Sequence, residues 1–259
     1  MIKEIVIGLF SEVPNRIEAD RFYLRHEGPD VVRLSGPWLR RYESYRAYDP
    51  PLEAVERFGA RGGRYTELWF SNIEEYRSRP PGTTITLPPL EKWRQKYRLE
   101  KGRLLERTMA IVPVLPTERF LVKYIDPEEN PFIRWVCAIK YPEGVNIEEG
   151  EKWYLNVHSK ELLNQPGLLG FYGYRCLDSV RSGPGGSPSD DSPLEETSWV
   201  RVVEFWYEDL SAWRRALVDY SFNYSLPPWG GSFPFVEMRS IFIDLKPDVD
   251  FLKGNYFIP

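Results

Sequence analysis

Two stretches of the chain decide its fold: TELWFSNIEEYRS at Thr66–Ser78 and VEFWYEDLSAWRR at Val203–Arg215. They align without a gap. Glu67 falls opposite Glu204, Trp69 opposite Trp206, Phe70 opposite Tyr207 and Arg77 opposite Arg214, 137 positions apart. That spacing is too long for a solenoid unit and matches a small domain. The 259-residue sequence therefore reads as a tandem pair, residues 1–128 and 129–259, each long enough for its own core.

The elements around this motif also recur. MIKEIVIGLF (Met1–Phe10) and FIRWVCAIKY (Phe132–Tyr141) are β-branched runs that read as opening strands. Helical patterns follow over Ile17–His26 and Ile147–His158. Aromatic strands then end in Tyr45-Arg46 and Tyr174-Arg175. Connectors come next, Ala47–Gly63 in one half and Asp178–Thr197 in the other, the latter rich in Gly, Ser, Pro and Asp and read as a mobile loop. The motif itself supplies a strand and a helix start, with Asn72 and Asp209 as N-caps. TMAIVPVL and SIFIDL close the halves.

Each half is thus β-α-β-β-α-β, the ferredoxin-like order. The fold class is α+β: two four-stranded antiparallel sheets, helices on one face of each, packed face to face as an intramolecular barrel. Side-chain alternation sorts the strand faces. Thr66, Leu68 and Phe70 point to the helices, while Glu67 and Trp69 point into the barrel, as do Glu204 and Trp206. Tyr172 and Tyr174 share a face.

Composition narrows the function. The net charge of −4 lacks the basic excess that a phosphate-binding surface needs, so no nucleic-acid partner is expected. Lys92–Arg107, the most basic stretch, reads as a solvated amphipathic helix. No run is apolar for long enough to span a bilayer and the start does not read as a signal peptide, so a cytoplasmic protein is expected. Cys137 and Cys176 are expected to be buried free thiols. Two cysteines and two histidines make a structural zinc site improbable, and no cofactor is called for. Aromatic residues make up 15% of the chain, enough to line an apolar pocket for a flat organic ligand.

The two histidines, His26 and His158, each lie four residues after an aromatic, Phe22 and Tyr154, and are the candidate acid–base groups. Aligning FYL with WYL offsets the histidines by one residue, so either a gap intervenes or the two are not equivalent. Glu67 and Glu204 are candidate substrate-binding carboxylates, or else ion-pair partners of Arg46 or Arg175. Trp69, Trp206, Tyr45, Tyr174 and Tyr172 are candidate walls and orienting hydroxyls.

The run YLNVHSKELLNQPGLLGFYGYR resembles the aromatic-x-x-x-His, Pro-Gly-Leu, Tyr pattern of EthD-like proteins, members of the dimeric α+β barrel superfamily. The first half keeps FYLRHEGP but has GPWLRRY in place of the Pro-Gly-Leu run. The resemblance implies a fused pseudo-dimer, with further homodimerisation open. It also implies a range of chemistries, from cofactor-free dehydratases, cyclases and monooxygenases on aromatic polyketides to muconolactone isomerase-type enzymes, of which cofactor-free lyase or isomerase chemistry on a hydrophobic aromatic or cyclic carbonyl compound is the one expected here. The alternatives are a non-catalytic module that binds a hydrophobic metabolite or serves as an accessory subunit, and a haem enzyme with histidine as axial ligand.

Overall fold

In the computed structural model, β1 (Ile2–Leu9) pairs on one side with β3 (Gly63–Phe70) and on the other with β4 (Glu106–Leu121). β2 (Arg41–Arg46) lies outside β3. The structure describes residues 1–9, 20–21, 23–77, 106–121, 131–176, 199–220 and 222–254. The second half repeats the arrangement: β5 (Ile133–Lys140) runs between β7 (Arg201–Tyr207) and β8 (Glu237–Asp244), with β6 (Leu168–Cys176) outside β7. Every ladder between these strands is antiparallel, and the strand orders β4-β1-β3-β2 and β8-β5-β7-β6 are the same ferredoxin-like order twice. The α+β barrel architecture read from the sequence is therefore present.

The registers are equivalent as well. Lys3 faces Trp69 and Ile5 faces Glu67 in the first repeat, while Arg134 faces Trp206 and Val136 faces Glu204 in the second. The repeats join where the second half of β4, from Val114 onward, pairs with β6. The matching seam, between the end of the second repeat and β2, is less regular. There the strand stops after Asp244, and two residues, β9 (Val249–Asp250), pair with Glu43 and Ser44 of β2. One isolated bridge, Ala47–Ile243, adds to it, so ladder pairing is not continuous around the barrel. A proline sits at the matching place in both segments, Pro116 and Pro247. Lacking an N–H, it interrupts a ladder. In β4 the register shifts just after Pro116, whereas Pro247 lies in the gap between β8 and β9.

The first repeat carries a π-helical turn (Tyr23–Glu27) leading into α1 (Gly28–Ser35), and its helix runs further than the Ile17–His26 expected. Residues 17–19, 92–105 and 178–197 lie outside the described residues, as does the boundary expected at 128/129, and Glu106 and Arg107, the end of the basic stretch expected to be helical, open strand β4 instead. The connector Ala47–Gly63 is not plain loop. Leu52–Phe58 forms a helix, α2, ended by Gly59 in the left-handed conformation, φ 58°. α3 (Ile73–Arg77) follows β3, and Asn72 Oδ1 caps it by accepting from Glu75 N at 2.8 Å. In the second repeat α4 (Ile147–Trp153), a π-helical turn (Tyr154–His158) and α5 (Ser159–Leu162) form one continuous rod. Asn146 caps its start, accepting from Glu148 N and Glu149 N. α6 (Leu210–Arg214) is capped by Asp209, as expected, at 2.7 Å from Ala212 N.

Three cores result. Tyr23, Leu68, Phe70 and Phe251 fill the space between sheet and helices in the first repeat. Trp135, Trp153, Phe205 and Trp213 do so in the second, joined by Phe58 of α2. Ile5, Tyr45, Val136, Tyr174 and Ile241 fill the barrel between the sheets. The face alternation read from TELWF and VEFWY is thereby confirmed: Leu68 and Phe70 join the helix-side core, and Glu67 faces inward.

Candidate functional site

Inside the barrel, four charged side chains form a closed set. Lys3 Nζ lies 2.8 Å from Glu67 Oε1 and 3.2 Å from Glu204 Oε1. Arg134 Nη2 lies 2.7 Å from Glu67 Oε1 and 3.0 Å from Glu204 Oε1, and its Nε donates to Glu204 Oε2 at 3.1 Å. All four are buried. Burial pushes the Glu67 carboxyl up, but the Lys3 ammonium and the Arg134 guanidinium outweigh it and hold the group at about 2. Glu204 is also held below the usual range, by Arg134 and then Lys3, against its own burial and the nearby Glu67 charge. The partners expected from sequence, Arg46 and Arg175, are replaced by these two cations. Arg46 instead donates from Nε to Asp20 at 2.7 Å.

Aromatic rings cover the set. Lys3 lies over Tyr174 at 4.5 Å and Trp69 at 5.3 Å, and Arg134 over Tyr45 at 5.0 Å and Tyr65 at 5.5 Å. Trp206 is stacked between Phe132 and Tyr172. The Tyr45 hydroxyl donates to Glu43 at 2.9 Å. Burial, then the Glu67 charge, raises Tyr45; burial, then Glu204, raises Tyr174. The structure thus brings Glu67, Glu204, Trp69, Trp206, Tyr45, Tyr174 and Tyr172 together in the barrel, away from both histidines. Glu67 and Glu204 are taken up by Lys3 and Arg134, whereas the indole N–H groups of Trp69 and Trp206 have no hydrogen-bond partner among the described residues.

His158 lies on the other face of the second sheet. It ends the π-helical turn, buried under Trp153, which stacks on the imidazole at 4.7 Å with 16° between planes. Tyr154, Tyr224, Phe233 and Phe235 close in at 5.6, 5.5, 6.1 and 5.9 Å between centroids. The last three belong to the segment 222–236, which straps across the helical layer. Burial alone pulls the imidazole down to about 3, so it is uncharged near neutrality. Its Nδ1 has no hydrogen-bond partner among the described residues. His158 borders a cavity of ≈ 20 Å³ together with Phe58, Trp135, Phe205, Phe233 and Gln165. That is room for about one water.

Gln165 is the other polar group of this lining that the sequence reading missed. Its side chain is buried, accepting from the Tyr207 hydroxyl at 2.5 Å and donating to the Tyr224 hydroxyl at 2.7 Å. The visible signal was slight: one of two adjacent amides, Asn164 and Gln165, just before the Pro-Gly of the second repeat. Phe58 was missed as well, because α2 belongs to the first repeat and crosses to the second.

His26 occupies a different setting. The π-helical turns Tyr23–Glu27 and Tyr154–His158 match with Tyr23 opposite Tyr154, which places Glu27 opposite His158. His26 is one residue short of that position and exposed on the surface. The register question therefore resolves as non-equivalence. The space beneath Tyr23 is filled by a hydroxyl network, Tyr23 to Thr66 at 3.0 Å and to Tyr42 at 3.2 Å.

As the rings stand, a haem does not fit beside His158, since the cavity is water-sized. Among the described residues no group of three or more His, Cys, Asp or Glu could hold a metal ion. No described helix is long and apolar enough to cross a membrane. Cys137 is buried and Cys176 half-buried, both as free thiols, with burial pushing Cys176 up to about 12.

No family model matches the chain, and no curated protein matches it. Solved structures do. An anthrone oxidase-like protein aligns at TM-score 0.47 and 11% identity, covering 94% of this chain and 90% of its own. A mutant chlorite dismutase from Candidatus Nitrospira defluvii, in complex with cyanide, aligns at 0.41 and 10%, covering 95% and 90%. A monooxygenase-like protein from Lactobacillus acidophilus NCFM aligns at 0.37 and 10%, covering 96% and 93%. At such scores no residue role transfers, and the fold assignment rests on the strand order itself.

Proposed function

We propose that the second repeat holds the working site of a small-molecule enzyme, and that its ligand is an apolar aromatic or cyclic carbonyl compound bound beside His158. The observation that carries this reading is a buried, uncharged imidazole with an unpaired Nδ1, bordering a cavity caged by aromatic rings. The likeness of Tyr154–Arg175 to the EthD-like pattern supports it from a separate direction.

The chemistry is cofactor-free proton transfer of lyase or isomerase type. At pH 7 the imidazole is already in its base form. It takes a proton from the carbon next to the ligand carbonyl; the C–H electron pair moves onto the carbonyl oxygen as an enolate. The resulting imidazolium is destabilised by the apolar cage, so it readily returns the proton. Return to another carbon is isomerisation, and expulsion of a β-leaving group is elimination. A ligand of this size displaces strap rings, because the cavity holds about one water. Glu67, Glu204 and the tyrosines around them keep the barrel rigid beneath the site, and His26 takes no part.

The test is deuterium exchange at C2 of 1-indanone in D2O, followed by NMR. The protein is expected to accelerate exchange, and His158→Ala to lose about 10²–10⁴ of that acceleration, with His26→Ala unchanged. A second reading, a binding or accessory protein, is favoured by the same depressed imidazole, since a group titrating near 3 is a weak base at neutral pH. Indanone that binds without any exchange would select it.

A further inference from the structure

The amide of Gln165 is held by two hydroxyls on opposite sides. Tyr207, on β7, is buried, and its O–H donates to Gln165 Oε1 at 2.5 Å. Nε2 then donates one hydrogen to Tyr224 at 2.7 Å. The second Nε2 hydrogen has no acceptor among the described residues. Gln165 and His158 border the same cavity, whose other lining is almost wholly apolar.

We infer that Gln165 is the ligand's second polar anchor, donating its remaining N–H to the ligand oxygen while His158 faces the same group. The inference rests on the His158 pocket being the ligand site. It adds a substrate class: compounds whose oxygen accepts a hydrogen bond, a ketone or similar carbonyl, rather than hydrocarbons of the same shape. A buried donor left unpaired costs more than the bond it would make is worth, so a hydrocarbon is penalised in this pocket.

Tyr207 and Tyr224 are positioning residues. Tyr207 belongs to the sheet and is constant. Tyr224 belongs to the strap, where it stacks on Phe233 at 4.4 Å with 5° between planes. The strap is clamped nearby by Ser225, whose N and hydroxyl both donate to Glu161. The anchor's Nε2 is thus oriented by a strap residue, Tyr224, which itself lies against Phe233.

The experiment compares binding of 1-indanone with indane, its oxygen-free analogue, by ligand-observed NMR to the intact chain. The wild-type protein is expected to prefer the ketone by about tenfold. Gln165→Leu, which keeps the bulk, should bring the ratio close to one. Tyr224→Phe, which leaves the core intact, should lower the ratio by a smaller factor. A ratio unchanged in both variants overturns the anchor while leaving the pocket in place. Binding of neither compound overturns the pocket and the anchor together.

Discussion

Glu67 of the first repeat and Glu204 of the second are held by one guanidinium: Arg134 Nη2 is 2.7 Å from Glu67 Oε1 and 3.0 Å from Glu204 Oε1. Lys3, at the position matching Arg134, spans the same two carboxylates. The pseudo-twofold of the duplication therefore runs through a neutral quartet, two acids and two bases. A buried ion pair is weak evidence of net stability, because desolvation offsets the attraction. What it does specify is register, since a one-residue slip of any of the four strands would leave a charge unpaired in the barrel.

Removing one member should therefore cost more than removing a pair. Arg134→Met leaves two carboxylates sharing Lys3 and is expected to destabilise by about 3–5 kcal/mol. Adding Glu204→Leu restores neutrality and keeps the Lys3–Glu67 contact at 2.8 Å. The double variant should be clearly more stable than the sum of the singles predicts. Urea unfolding of the four proteins in the cycle measures this coupling. Strict additivity would show that the four charges act independently.

Acid should attack the same quartet. Glu67 is held at about 2, below an unfolded carboxyl near 4.3. Its contribution is complete above the unfolded value and is lost as pH falls through the folded one, over about pH 4 to 2. Glu67→Gln should be less stable at pH 7 and show a shallower loss across that window. Equal slopes for both proteins would place the acid sensitivity elsewhere.

His158 predicts a slope at milder pH. Its imidazole is pulled down to about 3, while an unfolded histidine titrates near 6.5. Between these values the unfolded chain binds the extra proton, so stability rises with pH and is lost as pH falls. Relative to His158→Phe, the wild-type protein should lose about 3 kcal/mol between pH 7 and 4. Imidazole nitrogen shifts should keep the neutral pattern for His158 at pH 5. A midpoint near 6 for this residue would mean that the cage is open to water.

Some of this was legible in the chain and some was not, for physical reasons. Strand alternation has a fixed period, so the inward direction of Glu67 and Glu204 and the outward direction of Leu68 and Phe70 followed from local sequence. Their partners did not, because Lys3 and Arg134 reach them only once two sheets are face to face. The histidine ambiguity was a rotation of one helical position, which the matched π-helical turns settle. The helix Leu52–Phe58 escaped because it is short and buries only Ala54 and Phe58. Its purpose lies in the other repeat, where Phe58 meets Trp135 at 5.2 Å and Trp213 at 5.9 Å.

The crossing also runs the other way, and it can be tested at Gly28. Phe251, from the end of the second repeat, inserts beneath the first helix. It contacts Tyr42 at 4.6 Å and Tyr23 at 5.6 Å between centroids. A Cβ on Gly28 would stand 2.1 Å from its ring. Gly28→Ala should therefore overpack this core by about 1–3 kcal/mol, despite alanine's better helix propensity. Phe251→Ala alone should cost about 3–5 kcal/mol. Joined, the two should destabilise by less than their sum, because the ring that the new methyl strikes is gone. Hydrogen exchange in the Phe251→Ala protein should rise first in β2 and α1. If Gly28→Ala were neutral or stabilising, the ring would have to move aside without loss, and the second repeat would not seal the first.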